Sequence, residues 1–152
     1  MREYLSWEPL IGYFSYAIGA IFFNWNTAMG FVPIQNAEED MFVAWGPAVI
    51  GSILFSLGGS LEIFHNWDKV KICKARDPVY WISVFNCFGG WMFLLAATCG
   101  FAGVTYANYQ WLVNFPYVIG SFSFLFGSMT ALFLWKSENY GLGLLSELNV
   151  KR

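Results

Sequence analysis

Four stretches of the chain, each about 20 residues long or longer, are predominantly apolar. They span residues 9–29, 42–64, 79–103 and 111–135. The hydrocarbon core of a bilayer is about 30 Å thick, and about 20 helical residues cross it. Because consecutive positions are apolar on both faces, the stretches predict helices and not the alternating strands of a membrane barrel. The predicted fold class is an all-α integral membrane protein with four transmembrane helices.

The composition excludes several other classes of protein. Of the 152 residues, 57% are hydrophobic, 21% are aromatic and only 12% are charged, whereas a soluble domain carries about 25% charged residues. One short chain cannot bury so many apolar side chains in a core. A disordered chain and a nucleic-acid binder with a basic face are excluded. Cys73, Cys87 and Cys99 are an odd number without CxxC spacing, so we expect unpaired thiols.

The basic residues predict which side of the membrane each connection faces. They cluster in the middle connection and at the two termini: Lys69, Lys71, Lys74 and Arg76, then Arg2, Lys136, Lys151 and Arg152. The first connection is acidic instead, with Glu38, Glu39 and Asp40. By the positive-inside rule, we expect both termini and the middle connection on the cytoplasmic side, or on the stromal or matrix side of an organelle.

The second and fourth stretches share a sequence pattern that indicates an internal repeat. The frame P-x-V-I-G-S-x-x-F-x-x-G begins at Pro47 and again at Pro116, with seven identities over twelve positions at an offset of 69. The first and third stretches match more loosely, with residues 17–22 aligned on 88–93 at an offset of 71. A two-helix unit returns the chain to the side where it began, so the two copies would be parallel repeats.

Short motifs in both halves resemble a known membrane domain. Residues 13–23 contain Ile-Gly-Ala-Ile-Phe-Phe, and the second stretch contains Ile-Gly-Ser-Ile-Leu-Phe. This pair resembles the YrhK-like small two-helix membrane domain, and Ile-Gly-Ser-Phe-Ser-Phe in the fourth stretch would belong to another copy. The resemblance implies a fold unit and assigns no functional residue. The expected organisation is a first repeat at 1–68, a basic loop at 69–77, a second repeat at 78–139 and an interfacial or disordered tail at 140–152.

Small residues recur seven positions apart in every stretch, which is close to two helical turns. The series are Gly12 and Gly19; Gly51 and Gly58; Gly89, Ala96 and Gly103; and Gly120 and Gly127. Each helix therefore has a narrow face along which a neighbour can approach closely. We expect a four-helix bundle with Gly and Ser inside and Phe outside. Alternatively, the Phe and Trp faces pack on other subunits or on flat cofactors such as pigments or quinones.

Glu62 is the deepest acidic residue of the four stretches, and His65, the single histidine, follows on the same helical face. An intramembrane charge is costly unless it is paired. One interpretation is that Glu62 reaches the inner interface or pairs with Lys136 or a base of the middle connection. The other is functional: an axial ligand of a chlorophyll-type magnesium through Glu62 or His65, a proton-carrying group, or a contact to a partner subunit. No other stretch has an interior carboxylate, so no multi-ligand metal site is predicted.

Four asparagines lie within or at the edges of the apolar stretches: Asn24, Asn26, Asn86 and Asn114. We expect hydrogen bonds between helices from them. Amide oxygens also ligate pigment magnesium. Asn86 and Asn114 therefore join Glu62 and His65 as candidate cofactor-binding residues, for a chlorophyll-type pigment or a lipid.

The sequence contains no G-x-x-x-x-G-K-[ST], H-E-x-x-H or G-x-S-x-G motif, so we do not expect an enzyme. The predicted function is a non-enzymatic accessory subunit of a larger membrane complex, such as a photosystem or another bioenergetic complex, that contacts neighbouring subunits, lipids or pigments. Its membrane would then be a thylakoid or another energy-transducing membrane. The alternative is a small transporter or channel formed by oligomerisation of the repeat, with Asn24, Asn86 and Asn114 along a lumen. A third class, a lipid-modifying enzyme, would depend on Glu62 and His65.

Overall fold

A computed structural model describes residues 7–33, 36–71 and 76–137, and this part of the chain contains helices and connections but no strand. Four helices are long: α1 (Trp7–Met29), α3 (Gly46–His65), α5 (Pro78–Phe101) and α7 (Phe115–Ser137). Three are short: α2 (Ala37–Asp40), α4 (Trp67–Lys71) and α6 (Tyr106–Tyr109). The predicted tail at 140–152 and part of the basic loop lie outside the described residues.

Three helical stretches are long and apolar enough to cross a membrane, namely Met41–His65, Pro78–Phe101 and Ala107–Ser137. By length and composition the chain is therefore a multi-pass membrane protein. Helix α1 has 23 residues, which is about 34 Å at 1.5 Å per residue. It is long enough to cross, but it includes Tyr13, Tyr16, Asn24 and Asn26 and does not belong to this apolar set. The structure thus shows three of the four predicted spans.

The long helices lie in chain order, and each packs on the next: α1 on α3, α3 on α5, and α5 on α7. Neighbours are antiparallel, since Gly12 of α1 faces Gly58 of α3 while Gly19 faces Gly51. Helices α1 and α5 therefore begin at the same end of the bundle, where α3 and α7 finish. We call this the basic end, because Arg76 precedes α5 there and Lys136 lies in the last turn of α7.

A π-helical turn precedes each of the prolines that open the two repeated frames. These turns are Met41–Trp45 and Gln110–Asn114. Proline has no N–H and its ring clashes with the carbonyl four residues back, so the helix widens at this point. In the first turn Trp25 Nε1 donates to the carbonyl oxygen of Val43 over 3.0 Å. That carbonyl lies four residues before Pro47, which has no N–H to donate to it.

Two glycine pairs bring backbone against backbone within the first helical hairpin (α1 and α3) and the second helical hairpin (α5 and α7). A Cβ on Gly51 would lie 3.0 Å from the carbonyl oxygen of Gly19, and one on Gly120 would lie 3.0 Å from that of Gly89. These seams confirm the predicted close approach along the small-residue faces. Gly51 and Gly120 are 69 positions apart, which is the offset of the repeated frame. Gly19 and Gly89 are 70 positions apart, whereas the loose sequence alignment of the first and third stretches has an offset of 71.

A third seam joins α3 to α5 in the middle of the bundle. A Cβ on Gly59 would lie 2.8 Å from the backbone nitrogen of Cys87, and one on Gly90 would lie 2.7 Å from the carbonyl oxygen of Phe55. Ser56 Oγ lies 2.9 Å from the carbonyl oxygen of Gly90, across the same seam. Gly and Ser are therefore inside along this seam, as predicted, whereas Ser121 and Ser128 of α7 are exposed. Of the described cysteines, Cys87 and Cys99 are both free thiols.

The expectation that Phe lies outside is wrong for the centre of the bundle. Six rings, contributed by all four long helices, contact one another there: Tyr16, Phe23, Phe55, Phe93, Tyr117 and Phe124. We call this set the central ring cluster. Helices α1 and α7 have no glycine seam between them in the described structure. Rings fill the space instead, with Tyr16 to Phe124 at 6.1 Å and Phe23 to Tyr117 at 6.2 Å between centroids.

Candidate functional site around Glu62

Glu62 lies one turn before the end of α3 and is hydrogen-bonded from both sides. Its Oε2 accepts a hydrogen bond from Tyr16 Oη of α1 and another from Asn86 Nδ2 of α5, each over 3.0 Å. Both donors are neutral side chains. The carboxyl group therefore links three helices at the basic end of the bundle.

The direction of helical side chains explains why Tyr16 and Glu62 meet. Side chains lean toward the N-terminus of their own helix, so in this antiparallel pair Tyr16 leans toward the basic end and Glu62 leans away from it. The Tyr16 ring lies over Gly58, where a Cβ would be 2.9 Å from the ring. Because Gly58 has no side chain, the ring can reach past it to the carboxyl group.

Asn86 is held on the other side in a similar way. A Cβ on Gly127 of α7 would lie 2.5 Å from Asn86 Oδ1, so only a residue without a side chain allows this amide to approach α7. Asn86 is 70 positions after Tyr16, and Gly127 is 69 positions after Gly58. The two donors to Glu62 therefore occupy corresponding places in the two hairpins.

Asn66 joins the end of α3 to α5 beside this network. Its Nδ2 donates to the Glu62 carbonyl oxygen over 3.0 Å and lies 3.2 Å from Ser83 Oγ. Ser83 is fully buried. These contacts hold the last turn of α3, and with it Glu62, against α5.

A partly open cavity of about 490 Å³ lies beside Glu62. All four long helices contribute to its wall: Gly12, Tyr13, Tyr16, Gly58, Glu62, His65, Asn66, Val79, Ile82, Asn86, Ala131, Leu134 and Trp135. Tyr13, His65 and Trp135 are exposed, so they belong to its rim. The cavity lies between α1 and α7 at the basic end, beyond the central ring cluster. Its volume is within the range of small-molecule sites, about 300–1,000 Å³.

Three of the four predicted site residues share this cavity and one does not. Glu62 and Asn86 are hydrogen-bonded to each other, and His65 lies on the rim. Asn114 lies before α7, at the opposite end from the cavity, and its Nδ2 donates to Gln110 Oε1 over 2.9 Å. The structure therefore separates Asn114 from the other three.

Two further predictions concern an ion pair between Glu62 and a base and a lumen lined by asparagines. Among the described residues, the carboxyl group of Glu62 contacts the neutral donors described above and no base, and Lys136 is exposed. Asn24 is exposed near the end of α1, whereas Asn86 lies in the half of α5 nearer the basic end. One chain thus does not line the three asparagines along a lumen, and an oligomeric channel stays a prediction.

Tyr16 and Asn66 were not predicted as site residues. Sequence reasoning could have found Tyr16 once Gly12 was placed opposite Gly58, because the tilt of the side chains then brings Tyr16 to Glu62. No group of three or more His, Cys, Asp or Glu that could hold a metal ion occurs within the described ranges.

Comparison with protein families, with curated proteins and with solved structures finds no match to this chain. The resemblance to the YrhK-like domain stays a prediction. What the site does has to be inferred from its own geometry.

Proposed function

We propose that the chain is a non-enzymatic accessory subunit of a larger membrane complex and that it holds a lipid-soluble molecule in the Glu62 cavity. The observation that carries this proposal is the cavity itself. It combines a carboxyl group held by two neutral donors with aliphatic and aromatic walls. Ligand sites are typically apolar pockets with a few polar groups that orient the ligand.

In this proposal α1 is the fourth membrane-crossing helix. It packs along α3, and its other side is apolar and outward-facing. Phe14 is 60% exposed and Ile21 is 68% exposed, and Ile11 and Ile18 are exposed on the same helix. Lipid would cover these side chains, whereas exposed to water they would form a large apolar patch.

In this proposal both hairpins derive from one duplicated two-helix unit and cross the membrane in the same orientation. The α1–α3 and α5–α7 pairs cross at Gly19–Gly51 and Gly89–Gly120 in the same manner, which supports two parallel copies of a two-helix unit. The exposed Arg76 and Lys136 lie at one end of the bundle. By the positive-inside rule, that end faces the cytoplasm, stroma or matrix.

The outer surface supports a role among other subunits. Large rings are exposed on several helices, including Trp91 at 51%, Phe122 at 53% and Phe133 at 64%. Such rings can pack on lipid, on pigments or on neighbouring helices. An energy-transducing complex such as a photosystem, in a thylakoid or similar membrane, is the specific host that we propose.

Isolation of the native particle in mild detergent, followed by native mass spectrometry, tests this function. We expect the chain to co-purify with other membrane subunits and with a bound lipid or pigment. Ala131→Phe would fill the cavity wall, so the variant should keep the subunits and lose the bound molecule. A free monomer without partner, lipid or pigment absorbance would contradict the proposal.

A further inference from the structure

We propose that the molecule held in the Glu62 cavity carries a lipophilic organic cation, such as an ammonium head group, which pairs with the Glu62 carboxylate. This inference rests on the proposed function and names the chemical class of the ligand.

The first argument is the missing counter-charge. Glu62 lies within a membrane-spanning helix, where a charge is costly unless it is paired. Its described partners, Tyr16 and Asn86, both donate to Oε2, and none of the described residues donates to Oε1. Of the bases that the structure describes at this end, Arg76 and Lys136 are exposed and are not part of the cavity wall, and His65 lies on the exposed rim without a hydrogen bond to Glu62. A cationic ligand would supply the missing charge.

The second argument is the chemistry of the walls. Tyr13 and Trp135 place two aromatic side chains on the rim of the cavity, and the Tyr16 hydroxyl reaches the carboxyl group from its wall. Aromatic faces attract organic cations, with a larger effect where water is excluded. Val79, Ile82 and Leu134 provide aliphatic surface for an apolar tail. The same wall would disfavour an anion, because Glu62 would repel it.

The third argument is the space opposite the carboxyl group. Ala131 lies 69 positions after Glu62, at the corresponding place in α7, and also lines the cavity. A small side chain there leaves room between α7 and the acid. The volume of about 490 Å³ suits a small amphiphile.

Two ions of nearly the same shape and opposite charge provide the test. Tetraphenylphosphonium and tetraphenylborate would each be titrated into the full chain in phosphatidylcholine nanodiscs, with the heat from empty nanodiscs subtracted. We expect saturable binding of tetraphenylphosphonium and at least about tenfold weaker binding of tetraphenylborate, a difference of about 1.4 kcal/mol. Equal binding of the two ions would overturn the cationic class.

Glu62→Gln removes the charge while keeping an oxygen that can accept from Tyr16 and Asn86. We expect it to weaken tetraphenylphosphonium binding at least about tenfold. Asp68→Asn is the matched control, because Asp68 is an exposed acid near the same end of the bundle and outside the cavity wall. It should bind as the unmodified chain does. Unchanged binding by Glu62→Gln would overturn the inference.

If Glu62→Gln does not fold, Ala131→Phe replaces it, since this variant keeps the carboxylate and fills the cavity. Loss of tetraphenylphosphonium binding would then support the inference, and retained binding would overturn it.

The proposed function and the cationic ligand can fail separately. A co-purified lipid that Ala131→Phe loses, together with equal binding of the two ions, leaves the proposed function intact and overturns only the cation. A chain with no bound molecule and no ion binding overturns both.

Discussion

The two helical hairpins have the same crossing and different polar chemistry. In the α1–α3 hairpin, a Cβ on Gly51 would contact Phe23 and one on Gly19 would contact Phe55. In the α5–α7 hairpin, Phe93 and Phe124 occupy the corresponding places beside Gly120 and Gly89. Four glycines and four rings therefore make one arrangement twice. The crossing depends only on small residues that face the backbone of the neighbouring helix and on aromatic rings beside them.

The polar groups break this correspondence. Glu62 corresponds to Ala131, and Tyr16 corresponds to Asn86. The indole of Trp25, which bonds the carbonyl of Val43, corresponds to Leu95, which has no donor. The hairpins thus differ in their polar side chains, among them those at the cavity, and agree where the backbones cross. We infer that the seams serve stability and that the site depends on the differences.

The largest expected effect concerns positions 59 and 128, which correspond in the two hairpins. Gly59 lies against the backbone of Cys87, whereas Ser128 is exposed on α7. Gly59→Leu should lower the free energy of unfolding by about 3 kcal/mol through overpacking, and Ser128→Leu should change it by less than about 0.5 kcal/mol. Unfolding in mixed detergent micelles would measure both. Equal losses would show that α7 also has a close neighbour at Ser128.

A smaller effect is expected at the two equivalent crossings. Gly51→Leu and Gly120→Leu should each lower the free energy of unfolding by about 2 kcal/mol, because in both cases a side chain would meet a facing carbonyl oxygen and a ring. The same micelle titration applies. A difference of more than about 1 kcal/mol between the variants would show that the two crossings are not energetically equivalent.

The smallest effect separates two tyrosines of the central ring cluster. Tyr16 donates to Glu62, whereas Tyr117 Oη is buried without a hydrogen-bond partner among the described residues. Tyr16→Phe should cost about 1 kcal/mol of unfolding free energy. Tyr117→Phe should be neutral or stabilising by up to about 1 kcal/mol, since it removes an unsatisfied hydroxyl. Destabilisation by Tyr117→Phe would show that its hydroxyl has a partner in the membrane.

Helix positions could be predicted from the sequence because apolar length and interrupting polar residues mark them directly. The stretch predicted at 79–103 corresponds to α5, whose start is set by Pro78 and by Asp77, which accepts from the Val79 N–H. Its end is set by Gly103 in the left-handed region at φ 68°. The π-helical turns were not predicted, because a proline predicts a disturbed helix without specifying how it adjusts.

The central ring cluster and part of the site depend on how helices are arranged, which periodicity does not specify. Helices α1 and α7 lie far enough apart for the rings of Phe23 and Tyr117 to fit between them and contact each other. The sequence of neither helix alone gives that distance. Glu62 and Asn86 could be predicted as site residues, because polar groups within apolar membrane-spanning stretches are energetically costly. Asn114 was selected by residue type, and its place near the start of α7 puts it at the opposite end of the bundle.

Each π-helical turn also changes the direction in which the helix before it faces. One extra residue in the turn corresponds to a rotation of about 100° about the helix axis. Side chains before the widened turn therefore point in a different direction from the one they would have in a continuous α-helix. Trp45, at the end of the first such turn, lies against Gly100 of α5. Deletion of one residue between 41 and 44 would restore regular phase and rotate α2 (Ala37–Asp40) about the helix axis relative to α3, so the local spacing acts as an angular adjustment that both halves carry at the same point.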